Sequence, residues 1–403
     1  MSGKRFFLLV LLIFSSYFLF NKITGIDMRW TQVSSEFMKG NDTQSYGPGD
    51  FRIRGEKMVS MRLAKPKITF KKQTAEELAN WDQPLETTEP WMKSSSEILN
   101  RMNVTFHAGS ISNSTQTFHE YAQSRAWWLS PDWKTIYLST GWLDYHLEPE
   151  DFPDNQVPQI TKLWRSTDYG HSWEQLTWPE QQNISSMRFI NEQEGYLIGW
   201  GPRIWRTKNG GKYWHEIQVP VQVKDLQQPR KRFDLVALGK DNALYLAFVP
   251  IIGTGLSSEI WRLKWGEETS ELIFSVPGNK VDDIFADANG KVYVFTHAGP
   301  KYEERNQIST LYQWDGEELN AIHSFPKGML GYAIYQTPVN KHLLVQGPDY
   351  ASILPKDWTA LSKDGGKTWR TDKNSSAQGG YYDDVTGTDW KVSGYSLYKR
   401  EIP

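Results

Sequence analysis

The sequence predicts an all-β fold: a six-bladed β-propeller with room for a seventh blade, preceded by one apolar N-terminal helix. Three observations carry that expectation. A turn motif ending in tryptophan occurs at 166–173, 207–214 and 362–369. Sets of four short strands follow one another at about 40–50-residue intervals, the period of propeller blades. Aromatic residues make up 14% of the 403 residues, with 31 Gly and 20 Pro to punctuate them, and helix-period stretches are few.

Taken in chain order, the first 25 residues stand apart. Lys4 and Arg5 precede an uncharged run from Phe6 to Phe20, interrupted only by Ser15 and Ser16. Fifteen helical residues span roughly 22 Å, short of a ~30 Å hydrocarbon core. The run therefore reads as a signal peptide or a signal-anchor. No small-residue cleavage pattern follows Phe20, so an uncleaved anchor, extended through Ile23 and Ile26, is preferred. The basic flank stays inside, which exports everything after residue 25. With no cysteine anywhere, a bacterial periplasm is the expected address.

Residues 26–56 are expected to form a linker, and 57–403 the propeller. Within it, 57–72 (MVSMRL, KITFKK) is assigned as the strand that closes the ring, and 74–125 as an irregular insertion that could hide the seventh blade. Five units follow: 126–173, 187–214, 233–276, 281–325 and 330–370. The second shows the pattern well, as MRFIN, GYLIGW, RIWRT and YWHEIQV. The C-terminus supplies about three strands (DDVTG, WKVSG, SLYKREI), one short of a blade. A borrowed strand would cover the edge left open.

The recurrent turn is [ST]-x-[DN]-x-G-x-[ST/Y]-W. Its positions are Ser166, Asp168, Gly170 and Trp173; Thr207, Asn209, Gly211 and Trp214; and Ser362, Asp364, Gly366 and Trp369. Asp or Asn can bond its own backbone further on, Gly accepts positive φ, and the hydroxyl can pin the turn from inside. The tryptophan anchors the outgoing strand. Weaker turns at Gly266 and Asp315 fill the interval between the second and third copies.

This pattern resembles the Asp-box, or BNR, repeat family. The stretch GYLIGWGPRIWRTKNGGKYW is similar to repeats of photosystem-assembly-factor-like propellers, and sialidases and sortilin-type receptors carry the same box. The resemblance covers about 125–369 and implies the propeller fold, with the box as a structural turn. It also raises a sialidase-like glycoside hydrolase or glycan-binding propeller as the alternative function. Phe51-Arg52-Ile53-Arg54 matches three of the four positions of the sialidase Phe-Arg-Ile-Pro motif, with Arg54 where that family has proline. The remaining catalytic positions of that family have no counterpart motif here.

Other chemistry is thinly represented. The absence of cysteine removes disulfides, thiolate metal sites and a cysteine nucleophile. One carboxylate per turn falls far short of the 6–8 oxygens calcium takes. Gly365-Gly366-Lys367-Thr368 lacks the upstream glycine of a phosphate loop and sits in a hairpin. The eight histidines are scattered, and no G-x-S-x-G elbow occurs. No catalytic residue, metal site or cofactor is expected. A net charge of −2 argues against nucleic acid as a partner.

Propeller geometry places the boxes on one face and the second-to-third-strand loops on the other. Those loops are the long ones: 141–159, 250–258, 298–308 and 347–358. Long loops on a rigid scaffold carry function. The first holds Trp142, Asp144, Tyr145, His146, Glu148, Glu150 and Asp151, with no Lys or Arg. With Tyr302, Arg305 and Tyr350, these form the expected surface for another protein, a basic one by charge complementarity. The sequence thus reads as a non-enzymatic, membrane-tethered periplasmic binding module. It would serve as an assembly factor or as an immunity protein capping a toxin, such as one delivered by type VI secretion.

Overall fold

The computed structural model describes residues 31–34, 45–46, 51–54, 57–64, 101–108 and 111–119. It also describes 123–402 apart from 142–160, 179–183, 200–202, 219–231, 250–257, 277–279, 288, 299–303, 352–355, 373–380, 384–385 and 394–395. The expected N-terminal helix, residues 1–25, lies outside the described residues. Among those described, no helix is long and apolar enough to cross a membrane.

The described strands form six four-stranded antiparallel sheets and one of five strands. Numbered along the chain, sheet 1 contains Phe51–Arg54, Lys57–Ala64, Arg101–Ala108 and Ile111–His119, with Ser45–Tyr46 alongside. Sheet 2 contains Gln123–Leu129, Ile136–Gly141, Lys162–Ser166 and Glu174–Leu176. Sheet 3 contains Ile184–Phe189, Gly195–Gly199, Ile204–Thr207 and His215–Ile217. Sheet 4 contains Arg232–Leu238, Leu244–Val249, Ser258–Leu263 and Glu271–Val276. Sheet 5 contains Lys280–Ala286, Val292–Ala298, Ile308–Trp314 and Leu319–Ser324. Sheet 6 contains Ala333–Gln336, Leu343–Asp349, Lys356–Ser362 and Arg370–Asp372. Sheet 7 contains Tyr381–Asp383, Thr388–Ser393 and Ser396–Glu401, completed by Thr31–Ser34. Sheets 2 to 7 are the six four-stranded blades that the repeat predicts.

The first strands of sheets 2 to 7 face a common axis. First strands of sheets 2 and 3, 3 and 4, 4 and 5, 5 and 6, and 7 and 1 lie against one another. Sheets 6 and 7 meet through Tyr335 and Tyr382, whose ring centroids are 5.0 Å apart.

Two expectations for the N-terminal region differ from the structure. The strand that completes the last blade is Thr31–Ser34, which pairs antiparallel with Ser396–Glu401 (Thr31 opposite Lys399, Gln32 opposite Tyr398). Segment 57–72 does not close the ring. Its residues Lys57–Ala64 are paired on both edges, with Phe51–Arg54 and with Arg101–Ala108, and have no edge to donate. The region assigned as linker and insertion instead supplies sheet 1. The alternation Met102, Val104, Phe106 against Asn103, Thr105, His107 is strand-like by period, but no box turn marks it.

The core lies between neighbouring sheets. Leu163, Met187, Phe189, Leu197, Trp205 and Trp214 fill the space between sheets 2 and 3. Tyr196, Ile198, Ile204, Val236, Leu244 and Leu246 do the same between 3 and 4. Apolar residues on both faces of the second strands explain runs such as Tyr196-Leu197-Ile198 and Leu244-Tyr245-Leu246, every member of which is buried.

One glycine controls how sheets 5 and 6 join. A Cβ on Gly347 would sit 1.7 Å from the Leu330 carbonyl oxygen, because the connector 325–332 runs directly against the second strand of sheet 6. Leu330 N–H donates to Pro348 O at 3.0 Å and Tyr332 N–H to Gln346 O at 2.9 Å on either side. Backbone cannot yield as a side-chain tip would. Gly347→Ala is expected to lower stability by about 3 kcal/mol, the upper end for overpacking, read as a reduced urea midpoint. A loss below about 0.5 kcal/mol would mean that the connector is not held there.

Candidate functional site

The three predicted turns each join the third strand of a sheet to its fourth, in sheets 2, 3 and 6. Ser166 Oγ donates to Asp168 at 2.8 Å and accepts from Gly170 N–H at 2.8 Å. Asp168 then accepts from the Ser172 N–H at 2.9 Å and the Ser172 hydroxyl at 2.6 Å. Thr207, Asn209, Gly211 and Tyr213 repeat the arrangement, as do Ser362, Asp364, Gly366 and Thr368. Trp173 and Trp369 donate their indole N–H to Gly170 O and Gly366 O. Trp214 instead packs into the core between sheets 2 and 3. The residue before the glycine is also left-handed, with φ of 60° at Tyr169, 67° at Gly210 and 73° at Gly365.

These aspartates spend their oxygens on their own turns. Partial burial pulls the Asp168 carboxyl upward, but bonds from Ser172 and Ser166 outweigh it and hold the group below the usual carboxylate range. Asp364 is depressed further, by the Thr368 hydroxyl and N–H, then Ser362. The chemistry of these turns is structural.

Sequence reasoning missed a set of arginines that lock this rim. Arg165, Arg206 and Arg262 occupy equivalent places on the third strands of sheets 2, 3 and 4, each after a tryptophan. Each reaches the third-to-fourth-strand hairpin of the next sheet. Arg165 donates to Gly210 O at 2.6 Å, and Arg206 to Glu267 O at 2.9 Å. Arg262 lies over the Trp314 ring at 5.4 Å. Arg165 and Arg262 also bond a glutamate on their own fourth strand (Glu174, Glu271), while Arg206 bonds Glu268 of the next sheet. The signal was present: Trp-Arg directly before the turn, at 164–165, 205–206 and 261–262.

The connections between second and third strands are longer, at 142–161, 250–257, 299–307 and 350–355. Of the expected partner-binding residues, Trp142, Asp144, Tyr145, His146, Glu148, Glu150, Asp151 and Tyr302 lie outside the described residues. Arg305 and Tyr350 are brought to one corner, between sheets 5 and 6. There Gly328 N–H donates to Gln307 O at 2.9 Å, and Tyr350 N–H donates to Gly328 O at 2.8 Å. Two residues not singled out from sequence join them. Tyr332 and Ile308 are exposed apolar side chains at the same corner. Desolvation of the Tyr332 hydroxyl, with Asp357 and Asp389 nearby, pushes its pKa up to about 12.

The axis holds a cavity of about 510 Å³, lined by the first strands of sheets 2 to 7. Trp128, Trp133, Phe285 and Tyr335 supply aromatic wall, and Arg188 and Asp283 supply charge. Asp283 Oδ1 accepts from Ile284 N–H at 2.9 Å, and Oδ2 from Ile334 N–H at 2.8 Å across to sheet 6. It keeps some solvent contact through the channel, but the surrounding walls desolvate it and push its pKa up to about 7. Arg52 of the sialidase-like match lies on the first strand of sheet 1, opposite Val59.

No known family profile matches the chain, and no curated protein matches it in sequence. Solved structures are similar to it. Hydrazine synthase of Kuenenia stuttgartiensis aligns over 75% of this chain and 92% of its own, at 9% identity with a TM-score of 0.51. The GH74 xyloglucanase of Xanthomonas campestris aligns over 93% of this chain and 53% of its own, at 11% identity with a TM-score of 0.53. The chain therefore spans about half of that enzyme. YCF48 bound to D1 peptide aligns over 76% and 90%, at 12% identity with a TM-score of 0.49. The first two likenesses are likenesses of fold, and fold does not carry activity.

Proposed function

We propose that the chain is an exported, membrane-tethered, non-enzymatic propeller that binds another protein on the face of its long connections, as part of envelope assembly or in capping a toxin. The observation that carries this reading is the contrast between the two rims. On the box rim, aspartates and arginines are consumed by their own turns and by the next sheet. On the other, Tyr332, Tyr350, Ile308 and Arg305 gather where sheets 5 and 6 meet. Tyr and Arg are the side chains that dominate binding energy at protein interfaces. We assign the acidic, aromatic segment 141–159, which joins the second and third strands of sheet 2, to the same face, where it would add the charge that steers a basic partner. Membrane tethering and a periplasmic address rest on the run Phe6–Phe20 and its basic flank.

The test is capture of a partner from envelope extracts of the source cell by the full chain. Deleting 142–159, or replacing Tyr332 and Tyr350 together by alanine, is expected to weaken capture at least tenfold without changing the unfolding midpoint. Full retention by both variants would overturn the reading. So would hydrolysis of a fluorogenic sialoside that Arg52→Ala abolishes, which would establish the glycosidase alternative.

A further inference from the structure

We infer that the axial cavity is a binding site for a small organic ammonium ion, seated against Asp283 and the aromatic walls. This does not depend on the protein-binding reading, because the cavity sits elsewhere. It is lined by Trp127–Leu129, Val236–Leu238 and Ile284–Ala286, toward the ends of their first strands, and by Trp133 in the turn that follows one of them. It therefore occupies the half of the axis nearer the box rim.

Three features select the ligand. A volume of about 510 Å³ is within the range of small-molecule pockets. Asp283 and Phe285, two apart on one strand, share a face and both line the cavity. The Asp283 carboxylate accepts two backbone N–H groups, which fix its position, and among the described residues it forms no ion pair with Lys, Arg or His. A carboxylate in an aromatic-walled space is the arrangement that recognises ammonium groups, through charge and the negative faces of the rings. Arg188 lines the same cavity, tied by Ser186 Oγ at 3.1 Å, Met187 O at 2.9 Å and Val236 O at 3.1 Å. Its charge also acts on Asp283, so the aromatic walls must add to the carboxylate's attraction for an ammonium ion to be held there.

Calorimetric titration of the full chain at pH 8.5, where Asp283 is ionised and the amine still protonated, with phenethylammonium, 2-phenylethanol, phenylacetate and cellobiose tests this. Phenethylammonium is expected to bind saturably and at least about tenfold more tightly than any of the other three. Asp283→Asn should abolish that preference while leaving 2-phenylethanol unchanged. Phe285→Leu, which keeps the carboxylate and the strand, should weaken phenethylammonium severalfold and serves if the first variant unfolds. Equal or tighter binding of the alcohol, the anion or the sugar would overturn the inference. So would an unchanged preference in folded Asp283→Asn, or no saturable binding of phenethylammonium at millimolar concentration.

Discussion

Replacing Arg400 by methionine is expected to cost about 3–5 kcal/mol, the range for removing one partner of a buried ion pair. Arg400 and Asp389 lie on adjacent strands of sheet 7, with side-chain exposures of 0% and 1%. The guanidinium bonds Asp389 Oδ2 at 2.9 Å through Nε and 2.7 Å through Nη2, and the same Nη2 donates to Thr359 Oγ1 of sheet 6 at 2.7 Å. Gln346, also of sheet 6, donates to the same carboxylate oxygen at 2.9 Å. The pair thus joins the last blade to its neighbour beside the strand that closes the ring. The substitution strips the cation from a buried carboxylate, whose desolvation is then poorly offset. The double change Arg400→Met with Asp389→Leu removes the stranded charge as well and should recover at least half of the loss. Urea unfolding at pH 7 reads both. A single-variant loss under about 1 kcal/mol, or a double variant worse than the single, would contradict this account.

The second large effect is one of pH. Burial raises the Asp283 pKa to about 7 in the folded chain, against about 4 for an unfolded aspartate. The folded state holds this proton more tightly, so the residue's contribution to stability is complete below pH 4 and is lost as pH rises through 7. Three units correspond to roughly 4 kcal/mol, and solvent contact through the channel reduces that to about 2–3 kcal/mol. Asp168 and Asp364 work in the opposite sense, since their pKa values fall on folding. Their contribution is present above pH 4 and disappears in stronger acid. Maximal stability is therefore expected between about pH 4 and 6. In Asp283→Asn the decline from pH 5 to 8 should flatten, even though the amide accepts from the two backbone donors less well and lowers stability overall. An identical slope in wild type and variant would show that Asp283 does not titrate as its surroundings dictate.

Much of the ring was legible because its signals are local. Ser166 to Trp173, Thr207 to Trp214 and Ser362 to Trp369 each encode a hairpin within eight residues, and spacing alone put them at equivalent places in their units. Sheet 1 was not legible in the same way. Its strands Lys57–Ala64 and Arg101–Ala108 pair across 65–100, with no box to announce them, so the alternation of Met102, Val104 and Phe106 had no frame to be read in. The Trp-Arg dipeptides were visible, but what Arg165, Arg206 and Arg262 hold is a hairpin some 45–60 residues downstream, which no local pattern specifies.

By itself the sequence determined the class of the fold, the positions of five four-stranded blades and three strands of a sixth, and the turn chemistry of one rim. These depend on residues close together in the chain, whose hydrogen bonds and alternation are properties of a single hairpin. Only the tertiary structure decided which segment closes the ring, Thr31–Ser34 and not 57–72, because an edge is free or occupied only once all other strands have paired. It alone brought Tyr332 beside Tyr350. It alone placed Asp283 on an axis with Trp128, Trp133, Phe285 and Arg188, since that channel exists only where the first strands of separate blades converge.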